Sequence, residues 1–156
     1  HYPLRRQRQM CIRDSMQRIL DINLRAPFFD DALIRESIAL CSILKISDEE
    51  LERVCQACDI DSSGGDLNIL RELRTKFGLY LVVMTQGAEG AILVHANGMV
   101  EQSGIPANLV DTVGAGDSFT ASMTMGLLQG KEYTEILADA CQIAAGVCSH
   151  AGAVPD

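Results

Sequence analysis

The residues best suited to chemistry lie in one run, Asp111-Thr112-Val113-Gly114-Ala115-Gly116-Asp117-Ser118-Phe119. Apolar residues at Phe119, Met123, Leu127 and Leu128 follow at helical spacing, so the run is a loop feeding a helix N-terminus. Gly114 and Gly116 let backbone N–H groups face a ligand with no side chain in the way. The first N–H groups of a helix have no internal partner, and the helix dipole favours an anion there. Such a turn holds phosphate. Asp117 would repel that phosphate unless its carboxylate faces a hydroxyl that attacks it. A proton acceptor beside an anion hole is the minimum equipment for phosphoryl transfer to an alcohol. The plainer account of Asp117 is that it complements the helix dipole, and these residues alone leave the two accounts level.

Three further clusters could join that run. Thr85-Gln86-Gly87-Ala88-Glu89-Gly90 follows the apolar stretch Tyr80–Met84, and glycines after a buried strand allow close backbone approach to a ligand. Ile19, Leu20 and Ile22 suit a short buried strand. Asp21, Asn23 and Arg25 then alternate on one face of its C-terminal end, the end where open α/β sheets bind ligands. A strand-edge salt bridge is the alternative there. Ser47-Asp48-Glu49-Glu50 is a capping box, with Ser47 at the N-cap and Glu50 at the third helical position. Cys55 and Cys58 form a lone C-x-x-C with no second pair, and read as ordinary helix cysteines rather than a zinc or redox site.

The elements that must position these groups alternate between strand and helix. Helices are expected at 30–42, 66–77, 118–128 and 133–148, the last rich in small residues. Strands are expected at 19–22, 43–46 and 80–84, then a hairpin of 91–94 and 99–102 about Asn97-Gly98, a favoured two-residue turn. Ser62-Ser63-Gly64-Gly65 reads as a flexible turn. This order predicts an α/β layered fold with a largely parallel central sheet flanked by helices. A hydrophobic content of 47% is ample for a core, which must be aliphatic because aromatics are 4% and Trp is absent. The net charge of −8 argues against nucleic acid as a partner, more so because the first fifteen residues are basic and the acidic excess lies in the rest. No apolar run is long enough to span a membrane. Six irregularly spaced cysteines suit a reducing compartment, with a cytoplasmic location expected. Residues 1–15 lack either period and read as a leader foreign to the domain, which then occupies 16–156.

Asp-Thr-Val-Gly-Ala-Gly-Asp-Ser-Phe at 111–119 resembles the C-terminal signature of the ribokinase-like (PfkB) carbohydrate kinases, and Asp21-Ile22-Asn23-Leu24-Arg25 resembles the D-x-N-x-R segment of their fructokinase-like members. The resemblance implies a ribokinase-like fold and an ATP-dependent kinase acting on a fructose-like hexose or keto-sugar acid. It implies Asp117 as catalytic base and sugar contact, and Gly114, Ala115 and Gly116 as the anion hole. Thr85, Gly87 and Gly90 would lie near the ATP phosphates; Gln142, Ala145 and Gly146 near adenine; and Asn23 and Arg25 near the sugar. Glu50 stands where the family's N-x-x-E motif helps organise Mg²⁺, often through water, although Ser47 replaces its Asn. Asp111, Val113 and Gly152 stand where the family holds a monovalent cation such as K⁺. The chain corresponds to the C-terminal half of the family's domain. The other half supplies the lid, most sugar contacts and a surface for homodimer formation. A non-catalytic nucleotide-binding piece and a nucleoside kinase of the same family are the alternatives. The absence of a Walker A string and of a complete G-x-G-x-x-G counts against a P-loop enzyme and an NAD enzyme.

Overall fold

The computed structural model describes residues 17–150 and Gly152. The leader expected at residues 1–15 lies outside them. Among the described residues five strands and five α-helices follow one another: β1 (Ile19–Asp21), α1 (Asp31–Leu40), β2 (Ile43–Ser47), α2 (Asp48–Cys58), α3 (Asp66–Phe77), β3 (Leu81–Thr85), β4 (Gly90–His95), β5 (Gly98–Ser103), α4 (Ala115–Leu128) and α5 (Tyr133–Cys148). The strands form one sheet in sequence order, β1-β2-β3-β4-β5. The pairings β1–β2 and β2–β3 are parallel, while β3–β4 and β4–β5 are antiparallel. The expected parallel sheet is thus its first three strands, and the hairpin makes the whole sheet mixed.

Side-chain alternation across the sheet builds two cores. On β2, Leu44 and Ile46 join one face with Ile34 and Ile38 of α1, Val54 and Cys58 of α2, and Leu70 and Leu73 of α3. Ile43 faces the opposite side with Leu81, Val83 and Leu93, against Phe119 and Met123 of α4 and Ile136, Leu137 and Ala140 of α5. Apolar residues on both faces are what a strand covered by helices on both sides requires.

Element ends follow local chemistry. Asp30 caps α1 by accepting the Leu33 N–H at 2.8 Å. The Ser62–Gly64 stretch is a 3₁₀ turn held by Asp61, which accepts from Ser63 N–H and Oγ, rather than a flexible link. In the hairpin His95 pairs with Gly98, so the two loop residues are Ala96-Asn97, one position earlier than expected. β1 ends at Asp21, and Asn23 turns left-handed (φ 39°). The expected alternation of Asp21, Asn23 and Arg25 on one face therefore stops after its first member. Gly90 opens β4 at φ 114°, and a Cβ there would fall 2.0 Å from the Gln102 carbonyl oxygen across the hairpin.

Candidate active site

The loop before α4 makes the turn expected to hold an anion. Gly114 is its N-cap at φ 84°, ψ −7°, a left-handed conformation that favours glycine. Ala115, Gly116 and Asp117 form the first turn of α4, so the helix begins three residues before the expected Ser118. Its first turn is small and polar, so the apolar period that marks a helix starts only at Phe119. The Ala115 N–H donates to Thr112 O at 3.2 Å and is spent within the turn. The Ser118 N–H donates to Gly114 O at 2.9 Å. Among the described residues no group accepts from the N–H of Gly114, Gly116 or Asp117. These donors are free for an anion. Asp117 itself is exposed.

A cavity of about 530 Å³ opens beside this turn. Ala115 and Gly116 line one side and Thr85, Gly87 and Gly90 another. Gly104 to Ala107 form its edge, and Ala144 and Ala145 of α5 its floor. A Cβ on Gly87 would meet nothing within 4 Å, so that glycine faces open space. Gly90 is different. Its lack of a side chain is already required by the neighbouring strand.

Two carboxylates tie the loops of this end together. Asp111 accepts from Val113 N–H through Oδ1 (3.0 Å) and from Gly152 N–H through Oδ2 (3.1 Å). Those bonds, Val113's first, hold its carboxyl below the usual carboxylate range. Glu50 accepts Leu24 N–H on Oε1 (2.7 Å) and both N–H and Oγ–H of Ser47 on Oε2 (2.8 Å each). The capping residue therefore also pins the segment after β1 against the end of β2. A third carboxylate, Asp21, bonds Lys45 Nζ (3.2 Å) and receives the Thr120 hydroxyl from α4 (2.7 Å).

The pfkB family carbohydrate kinase model matches residues 7–156. The chain belongs to the pfkB family. It is 30% identical over 128 residues to fructosamine kinase FrlD of Bacillus subtilis strain 168, covering 73% of this chain and 45% of that protein. A fructokinase of Rhizobium leguminosarum bv. trifolii is 36% identical over 113 residues, covering 69% and 32%. Among solved structures, aminoimidazole riboside kinase from Salmonella enterica, complexed with aminoimidazole riboside and an ATP analogue, superposes with a TM-score of 0.69 at 28% identity. It covers 86% of this chain and 46% of that one. The chain thus spans less than half the length of these relatives.

Within this pfkB chain the fold brings Thr85, Gly87, Gly90, Ala115, Gly116 and Ala145 to one cavity. Gly114 and Asp117 flank it in the same turn, and Asp111, Val113 and Gly152 form one bonded cluster next to it. Asn23 and Arg25 are exposed on the segment that Glu50 and Asp21 anchor. Gln142 is not brought there. The cavity face of α5 is Cys141, Ala144, Ala145 and Cys148, the i, i+3, i+4, i+7 spacing. Gln142 falls off that stripe and lines a second groove with Ser122, Gln129, Lys131 and Asp139. Gly146 is exposed and lines neither. The sequence reading assigned no role to Lys45, which is buried at 6% exposure. Its signal was a lone charge inside Ile43-Leu44-Lys45-Ile46, on the strand face shared with Ile43.

Proposed function

We propose that this chain carries the nucleotide and phosphoryl-transfer part of an ATP-dependent kinase that phosphorylates a sugar hydroxyl, with a fructose-like hexose or keto-sugar acid as substrate. The observation that carries this reading is the first turn of α4, where the Gly116 and Asp117 N–H groups have no acceptor among the described residues, at the mouth of the cavity. Donors fixed in place stabilise charge that develops on a transferring phosphoryl group without reorganisation. Asp117 takes the proton of the attacking hydroxyl. Thr85 and Gly87 flank the ATP phosphates, and the small residues Ala144 and Ala145 leave room for the flat base. Likeness to fructosamine kinase and fructokinase supports a sugar substrate. Likeness to aminoimidazole riboside kinase supports a riboside as the second reading.

Mg²⁺ and K⁺ fit the residues present in different ways. On Glu50, Oε2 accepts two donors and Oε1 one, so the carboxylate has room for a single water and suits an indirect contact with Mg²⁺. When bound, Mg²⁺ neutralises phosphate charge. Asp111, oriented by the amides of Val113 and Gly152, presents a fixed carboxylate to a monovalent cation.

The test is titration of the chain with ATP and Mg²⁺, with and without K⁺, alongside phosphoryl-transfer assays of Asp117→Asn. A positioned base is worth about 10² to 10⁴ in rate, so the variant should lose that much turnover while keeping ATP affinity within about twofold. Near-normal turnover would remove Asp117 from the base role. No ATP binding by the folded chain would sink the kinase reading.

A further inference from the structure

We infer that Lys45 is a phosphate-contacting residue of this site, presented to the anion turn at Gly116 by Asp21. The inference rests on the phosphoryl-transfer reading above and adds a residue to it. Lys45 is the one buried charged or polar residue among the described residues. It projects from a strand face otherwise made of Ile43, Leu81 and Val83, where an ammonium is costly to bury. One partner bonds it, Asp21 Oδ1 at 3.2 Å, longer than the roughly 2.7–2.9 Å of a strong charge-assisted bond. An ammonium carries three donors, and among the described residues the other two have no acceptor.

The position of that ammonium relates it to the anion turn. A Cβ built on Gly116 would lie 3.5 Å from Lys45 Nζ, the nearest atom beyond its chain neighbours and the surrounding helix backbone. The bare side of Gly116 therefore faces the ammonium, and the same residue lines the cavity and offers one of the free N–H groups of the turn. Register accounts for the placement: Asp21 and Lys45 are paired residues on adjacent parallel strands. Thr120 Oγ1 donates to Asp21 Oδ2 at 2.7 Å and lies 3.0 Å from Gly116 O, joining the first turn of α4 to the ion pair. An anion in the turn thus meets a full positive charge as well as the helix terminus. Asp21 acts as the positioning residue.

The experiment titrates the full chain with ATP, ADP and AMP in Mg²⁺ by calorimetry, for the native protein and for Lys45→Met and Lys45→Arg. Loss of a charge-assisted contact should weaken ATP by about 10- to 100-fold and leave AMP within about twofold, with Lys45→Arg recovering part of the loss. A purely structural Lys45 would weaken all three nucleotides alike, which overturns the inference. Unchanged ATP affinity in folded Lys45→Met overturns it too, while native ATP binding keeps the kinase reading intact. Failure of the native chain to bind ATP overturns both. Should Lys45→Met not fold, the double variant Asp21→Asn/Lys45→Met leaves no unpaired buried charge and is judged by the same ATP-to-AMP contrast.

Discussion

Asp111 holds two loops with one carboxylate, since it bonds Val113 two residues on and Gly152 41 residues on. Its folded carboxyl sits below the usual range because both bonds favour the ionised form. A carboxyl depressed in the folded state contributes stability above its unfolded pKa of about 3.9, and loses it as pH falls through the folded value. The stability difference between the native chain and Asp111→Asn should therefore stay constant from about pH 7 down to about pH 5, then shrink in more acid solution. Denaturant midpoints at a series of pH values measure this. A difference that grows toward acid would mean the carboxylate does not make these bonds. Asp111 was legible as a site residue in the motif that contains it. Lys45 was not, because a lysine in an apolar strand declares its face but not what the opposite helix brings to it.

Helices α4 and α5 approach closely because Gly126 has no side chain. A Cβ there would fall 2.8 Å from Ile136 Cγ1. Gly126 is buried in the middle of α4, where glycine costs helix propensity, so packing is the reason it is there. Gly126→Val should cost about 1–3 kcal/mol through overpacking, read from denaturant unfolding. It should also loosen the α5 residues that floor the cavity, weakening ATP. A variant as stable as the native chain would show that α5 can slide without penalty. Both helices were visible as periodic runs. Which face of α5 meets the cavity was not, because its small residues nearly encircle the helix and leave no single apolar stripe. The resemblance sets this helix near adenine without fixing its face, and so puts Gln142 beside Ala145.

At the scale of the whole molecule, two cores share one sheet. Adjacent residues of β2 and β3 point alternately into each, so neither core survives loss of the strands. Cysteines report on both: Cys55 and Cys58 lie in the core under α1–α3 and Cys141 in that under α4 and α5, with burial pushing all three thiols up. Because alkylation needs the thiolate, all three should resist labelling at neutral pH and become reactive together at one denaturant concentration. Earlier labelling of Cys141 would mean that α4 and α5 detach as a separate unit. Among the described residues no helix is long and apolar enough to cross a membrane.

The sequence by itself determined the succession of strands and helices, the glycine turn that opens α4 and the glycine loop after β3. Each is set by neighbouring residues: a period, a cap, or a glycine that allows φ above zero. The tertiary structure alone decided the mixed sheet, the left-handed turn at Asn23 and the pairing of Leu24 with Glu50. It alone placed Lys45 behind Gly116. Those contacts join residues far apart in the chain, and their partners are chosen by strand register and helix approach, which no local pattern encodes.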